Sequence, residues 1–118
     1  MDRSNRETLL IPQCETAGCL ANIETIAAME GVDGIFVGPL DLSIALGCPM
    51  ELDAPQMREA LARVVAACKA AGKLAMIFCG DAETARKRLA AGFDSAALGL
   101  DVLALIQSYR AMAEAVRG

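Results

Sequence analysis

The chain has 118 residues, 55% of them apolar, with one tyrosine, three phenylalanines and no tryptophan. Fifteen acidic against 11 basic residues leave a formal charge of −4 and no basic stripe, which excludes a nucleic-acid binder. The apolar fraction excludes a disordered chain, no apolar run reaches the roughly 20 residues of a membrane span, and the polar start Met1-Asp2-Arg3-Ser4 is no signal peptide.

A soluble cytoplasmic protein without nucleic-acid or membrane partners is therefore expected. Residues 1–7 read as an irregular lead-in to one partial domain spanning residues 1–118. Similar segments follow, each an apolar run, a turn and a helix that stops at a glycine or the chain end. The first run is Thr8-Leu9-Leu10-Ile11-Pro12-Gln13. Pro12 conflicts with a regular strand, because it removes a ladder donor; either the strand is irregular or its first half is the pairing segment. A helix over Ala17–Met29 comes next, with Leu20, Ile23 and Ala27 on one face and Gly31 at its end.

Gly34-Ile35-Phe36-Val37 is the second run, leading through Gly38-Pro39-Leu40-Asp41-Leu42-Ser43 into a longer loop. Asp53 and Gln56 have capping-box spacing, which predicts a helix to Ala71 that stops at Gly72. Met57, Leu61, Val64, Val65 and Cys68 form its apolar stripe. Leu74-Ala75-Met76-Ile77-Phe78 is the third run. Asp81 caps the next helix, whose inner face is Ala82, Ala85 and Leu89. Ser95-Ala96-Ala97-Leu98 is the fourth run, before a last helix with Val102, Leu105, Ile106, Tyr109, Met112 and Val116, in which Asp101 is a second capping residue.

Continuously apolar strands separated by helices of ten or more residues signal a parallel sheet covered by helices. A (β/α)₈ barrel takes about 250 residues for eight units. Four β/α units in 118 residues thus point to an α/β fold that is half a TIM barrel, against an open four-stranded α/β sandwich.

Histidine is absent, so a general base within this chain is a carboxylate, a lysine, a tyrosine or a metal-bound water. The five cysteines, Cys14, Cys19, Cys48, Cys68 and Cys79, lack any Cys-x-x-Cys pair and read as free, buried small hydrophobes rather than a four-thiolate zinc site. Parallel α/β folds bind ligands at the carboxyl ends of their strands. That rule selects Gln13-Cys14-Glu15-Thr16, with Gln13 and Glu15 on one face and Cys14 on the other. It also selects Gly38-Pro39-Leu40-Asp41, Phe78-Cys79-Gly80-Asp81 and Gly99-Leu100-Asp101. Glu15 and Asp41 are carboxylates on neighbouring strand ends, about 4.8 Å apart at the backbone, close enough to share a hard cation such as Mg²⁺ or Mn²⁺. The alternative is that both are helix caps or surface charges.

Ile11-Pro12-Gln13-Cys14-Glu15-Thr16, Gly31-Val32-Asp33-Gly34-Ile35-Phe36-Val37-Gly38-Pro39-Leu40-Asp41-Leu42-Ser43, Ala70-Ala71-Gly72-Lys73 and Ala97-Leu98-Gly99-Leu100-Asp101, in this order, resemble the HpcH/HpaI aldolase family. The resemblance covers nearly the whole chain from Glu7 onward. It implies the C-terminal half of a TIM barrel and a class II pyruvate aldolase, a carbon–carbon lyase that cleaves 2-keto-3-deoxy or 4-hydroxy-2-oxo acids to pyruvate and an aldehyde. It also implies metal ligation by Glu15 and Asp41, with Mg²⁺ or Mn²⁺, or Co²⁺, as cofactor. Gln13 would then reach the keto acid, the Leu40 and Asp41 N–H groups would hold its carboxylate, and Phe78, by position only, would wall the pocket.

The family's base histidine, its supporting aspartate and its arginine lie in the other half of the barrel, so the chain alone is expected to be inactive. Two alternatives stand beside this reading: a non-catalytic half-barrel, or a related acyl-coenzyme A lyase. Either way, open strand edges predict a homo-oligomer or pairing with a complementary half-barrel.

Overall fold

A computed structural model describes residues 7–118; the expected lead-in, Glu7 apart, lies outside the described residues. Four parallel strands lie side by side in chain order: β1 (Gln13–Cys14), β2 (Gly34–Val37), β3 (Leu74–Cys79) and β4 (Ser95–Leu98). Between them run α1 (Ala17–Ala21), α2 (Ile23–Ala27), α3 (Pro39–Ala45), α4 (Pro55–Ala71) and α5 (Ala82–Ala90), and α6 (Asp101–Arg117) follows β4.

Strand alternation divides the sheet into two unlike faces. Cys14, Ile35, Val37, Ala75, Ile77 and Cys79 are buried under the helices, where Ile23, Met57, Val64 and Cys68 meet them. Gln13, Phe36, Met76 and Ser95 form one row on the opposite face, because Gln13 pairs with Phe36, Phe36 with Met76 and Met76 with Ser95. That second face is exposed or only half-covered.

Several expectations are corrected by the structure. The pairing part of the first run is its end, not its beginning. Pro12 contributes only its carbonyl, which accepts from the Phe36 N–H at 3.0 Å. The helix expected over Ala17–Met29 is broken at Asn22, whose side chain donates to the Gly18 carbonyl at 2.9 Å. The segment after Gly38 begins as a helix, since Pro39 occupies its first turn, where a missing N–H costs nothing. The same effect moves the start of α4: Pro55 opens it behind Ala54, and Asp53 accepts from Arg88 at 3.1 Å instead of capping. On α5 only Ala85 is buried; Ala82 and Leu89 are exposed.

Of the expected glycine stops, that of α4 holds, whereas α2 already ends at Ala27, capped by Ala28, ahead of Gly31. Gly72 ends α4 in the left-handed region at φ 66°, which suits a residue without Cβ. No residue of α6 is buried, and Leu105, Ile106, Tyr109, Met112 and Val116 are all exposed. Among the described residues, no helix is long and apolar enough to cross a membrane.

Candidate functional site

The carboxyl ends of the strands carry the selected residues. Gln13 and Glu15 point to the helix-free face of the sheet, and Gln13 Nε2 donates to Glu15 Oε2 at 2.6 Å. Both lie over Gly38, the residue that joins β2 to α3. A Cβ placed on Gly38 would stand 2.7 Å from Gln13 Nε2 and 3.1 Å from Glu15 Oε2. Strand register explains the meeting. Cys14 pairs with Val37, so the next residues along, Glu15 and Gly38, face one another.

Asp41 lies in the first turn of α3 and is exposed. Gly38 offers no side chain to cap that turn, and the first helical N–H to find a carbonyl is that of Leu42, to Gly38 at 3.0 Å. A cleft of about 240 Å³ opens here, lined by Gln13, Phe36, Gly38, Pro39, Leu40, Asp41, Phe78 and Leu100. It brings together Gln13, Leu40, Asp41 and Phe78, with the Glu15 carboxylate held against its rim by Gln13. A second cleft of about 250 Å³ adjoins it and shares Pro39, Leu40, Phe78 and Leu100.

The other strand-end acids are engaged elsewhere. Asp81 caps α5, accepting the Thr84 N–H at 2.8 Å and the Thr84 hydroxyl at 2.9 Å. The Thr84 N–H holds its carboxyl below the usual carboxylate range. Asp101 is the first residue inside α6 rather than its cap, and accepts the Val102 N–H at 2.7 Å.

Gly38 and Ser43 belong to the segment that carries the family resemblance, but their own roles follow only from the structure. For Gly38, the strand register is the signal that reveals its place under the carboxylate. Ser43 is fully buried; its hydroxyl donates to the Leu40 carbonyl at 2.6 Å and accepts from the Met50 N–H at 3.0 Å. It ties the first turn of α3 to a loop whose Met50 has φ 66°. All five cysteines are free thiols. Burial pushes that of Cys14 up to about 12 and also raises Cys68 and Cys79.

As a cation site, the donor set is two carboxylates and no nitrogen or sulfur. That set suits a hard ion that keeps several waters. Among the described residues, no group of three or more histidine, cysteine or acidic side chains could hold a metal. Among the described residues, a cation here would therefore find at most two side chains of those types.

The sequence profile of the HpcH/HpaI aldolase/citrate lyase family matches residues 1–108. The chain is 36% identical to the hydroxypyruvate/pyruvate aldolase of Pseudomonas aeruginosa over 118 residues, all of this chain and 44% of that protein. It is 34% identical to the 2-keto-3-deoxy-L-rhamnonate aldolase of Klebsiella pneumoniae over 108 residues, 92% of this chain and 40% of that one. A solved HpcH/HpaI aldolase/citrate lyase family protein from Burkholderia cenocepacia superposes with TM-score 0.88 at 37% identity, over 100% of this chain and 48% of the other. The chain thus spans less than half the length of these relatives, and its four strands and their helices are one half of a TIM barrel. On profile, identity and superposition together, the chain belongs to the HpcH/HpaI aldolase/citrate lyase family.

Proposed function

We propose that this chain is the C-terminal half of a divalent-metal-dependent, class II pyruvate aldolase, the whole enzyme cleaving a 2-keto-3-deoxy or 4-hydroxy-2-oxo acid to pyruvate and an aldehyde. The observation that carries the reading is the meeting of Glu15 and Gln13 over Gly38, one residue before the helix that bears Asp41. The names of the Pseudomonas and Klebsiella relatives support the substrate class.

In this reading Glu15 and Asp41 hold Mg²⁺ or Mn²⁺, with Co²⁺ as a third candidate. When bound, such an ion supplies Lewis-acid stabilisation of the negative charge that develops on a keto oxygen. Gln13 fixes the Glu15 carboxylate and presents its amide to the keto acid. The N–H groups of Leu40 and Asp41, uncapped by any side chain, receive the substrate carboxylate. Phe36, Phe78 and Leu100 wall the cleft. In this reading the base is the histidine that the family resemblance implies in the other half of the barrel; this sequence has no histidine.

Exchange of the pyruvate methyl protons in heavy water, with Mn²⁺ added, tests this. The chain alone should not exchange. Mixed with the N-terminal half of the Pseudomonas aldolase it should, and Asp41→Asn should abolish that exchange. Exchange by the isolated chain would sink the assignment of the base, and an active Asp41→Asn mixture would sink the ligand assignment.

The second reading, a non-catalytic half-barrel that assembles with another copy of itself, is favoured by α6, whose apolar side chains are all exposed.

A further inference from the structure

The two carboxylates of the site are held by different means. Glu15 has a side-chain partner, the Gln13 amide at 2.6 Å. Asp41 is exposed, and its side chain accepts no hydrogen bond among the described residues. Its placement therefore falls to the main chain of the first turn of α3, for which Gly38 supplies no side-chain cap.

That main chain is held at one peptide. The Ser43 hydroxyl donates to the Leu40 carbonyl at 2.6 Å, near the short end of the range for such bonds. A peptide group is planar, so the Leu40 oxygen and the N–H and Cα of Asp41 move as one body. Ser43 is fully buried and is clamped in turn by the loop that follows α3. Its hydroxyl oxygen accepts the Met50 N–H at 3.0 Å, and its carbonyl accepts the Cys48 N–H at 2.9 Å. A serine bonding back to a carbonyl three residues earlier is common by itself. Here the same oxygen also joins a second segment, and that segment is strained. Met50, at φ 66°, is the one non-glycine residue with positive φ among the described residues. Such a conformation persists where surrounding contacts over-determine it.

We propose that Ser43 is a positioning residue for Asp41: it locks the Leu40–Asp41 peptide to the loop at Cys48 and Met50, and so fixes where the Asp41 carboxylate stands at the cleft. From a fixed Cα, only χ1 and χ2 remain to aim that carboxylate, and both fall into a few staggered or broad wells. Outer partners that orient a metal-binding carboxylate are worth roughly 10–100-fold in affinity. Gln13 takes that part for Glu15 through its side chain; Ser43 takes it for Asp41 through the main chain. The metal-binding role of Asp41 rests on the function proposed above; the hold on its peptide does not.

The test compares the whole wild-type chain with Ser43→Ala and with Gly34→Ala, a control that disturbs the opposite end of β2. Mn²⁺ affinity is read by electron paramagnetic resonance, and the rigidity of the Asp41 N–H by nitrogen-15 relaxation without metal. Ser43→Ala should lose about 10–100-fold in Mn²⁺ affinity. Its Asp41 order parameter should fall below the roughly 0.85 of rigid backbone. Gly34→Ala should keep both values. Equal losses in the two variants would mean that Ser43 acts only through stability, and would overturn the proposal. A Ser43→Ala chain that binds Mn²⁺ like the wild type, or one that loses affinity with the Asp41 order parameter intact, overturns it as well. If the wild type binds no Mn²⁺, the metal reading fails, and the hold on the Asp41 peptide is judged on relaxation alone. Should Ser43→Ala not fold, Ser43→Cys, close in shape but a weak donor, takes its place in the same comparison.

Discussion

Gln13 donates from Nε2 to Glu15 Oε2 at 2.6 Å, across the face of a two-residue strand. A metal-binding carboxylate whose second oxygen is fixed in this way keeps its orientation. Outer partners of that kind are worth roughly 10–100-fold in metal affinity. Gln13→Leu should therefore weaken Mn²⁺ binding by about that factor while leaving the melting temperature nearly unchanged, because Gln13 is exposed. Titration followed by paramagnetic resonance, beside a thermal melt, checks both halves. Unchanged affinity would mean that Glu15 does not depend on Gln13.

Two glycines, Gly34 at the start of β2 and Gly38 just past its end, should respond oppositely to the same change. An alanine Cβ at Gly34 would stand 2.7 Å from the Leu74 carbonyl oxygen, which is backbone of the adjacent strand and cannot step aside. Gly34→Ala should cost about 1–3 kcal/mol, readable from urea unfolding. At Gly38 the close atom is the end of the flexible Gln13 side chain, so Gly38→Ala should cost less than about 1 kcal/mol and instead weaken Mn²⁺ binding. Equal stability losses would refute the distinction.

Ser43 is the buried link between the first turn of α3 and the loop at Met50. Ser43→Ala leaves the Met50 N–H without its hydroxyl acceptor, at a cost of about 1–3 kcal/mol. Hydrogen exchange at Met50 should quicken along with the loss. Protection that survives in the variant would show that another acceptor takes over.

Glu24 and Arg63 join α2 to α4 through a two-point contact, at 2.6 Å to Nε and 2.8 Å to Nη2. The guanidinium beside it holds the Glu24 carboxyl at about 2, below its ordinary value of 4.5. A lowered folded value means the contribution is present above the unfolded value and is lost as pH falls toward 2. Melts of the wild type and Glu24→Gln should differ at pH 6 and converge near pH 2. Both groups are exposed, so the difference is small and shrinks in high salt. A gap that persists at pH 2 would exclude the ion pair as its cause.

Helix α6 exposes Leu105 at 58%, Tyr109 at 63% and Val116 at 88%. Apolar faces of this kind mark association surfaces. In sedimentation equilibrium the chain should exceed its monomer mass of 12.3 kDa, and Leu105→Lys with Tyr109→Lys should shift it toward monomer. A monodisperse wild-type monomer would contradict the pairing proposal.

Much of the architecture was legible in local chemistry. Gly34–Val37 and Leu74–Cys79 are short apolar runs that became strands of the parallel sheet, as did Ser95–Leu98, and Gly72 ends α4 where its periodicity stops. The strand-end rule also selected Gln13, Glu15 and Asp41, because strand direction alone decides which end of each strand faces a ligand. Helix starts were less legible. Pro39 and Pro55 set the first turns through their fixed φ and missing N–H, outweighing the side-chain cap expected at Asp53. On α5, three-dimensional partners overrode periodicity: Arg88 reaches the Leu52 carbonyl at 3.1 Å, and Leu89 is left outside.

The amino-acid order was sufficient to determine the α/β alternation and the count of four β/α units. Both follow from short-range periodicity and spacing, while the family resemblance, not periodicity, implied the half-barrel. Tertiary structure alone decided that Gly38 underlies Glu15. That relationship depends on the register of β1 against β2. Periodicity also supplied an apolar face for α6 but no occupant for it. Burial is settled only by surfaces that arrive from elsewhere in space, and within the described residues α6 has none that buries it.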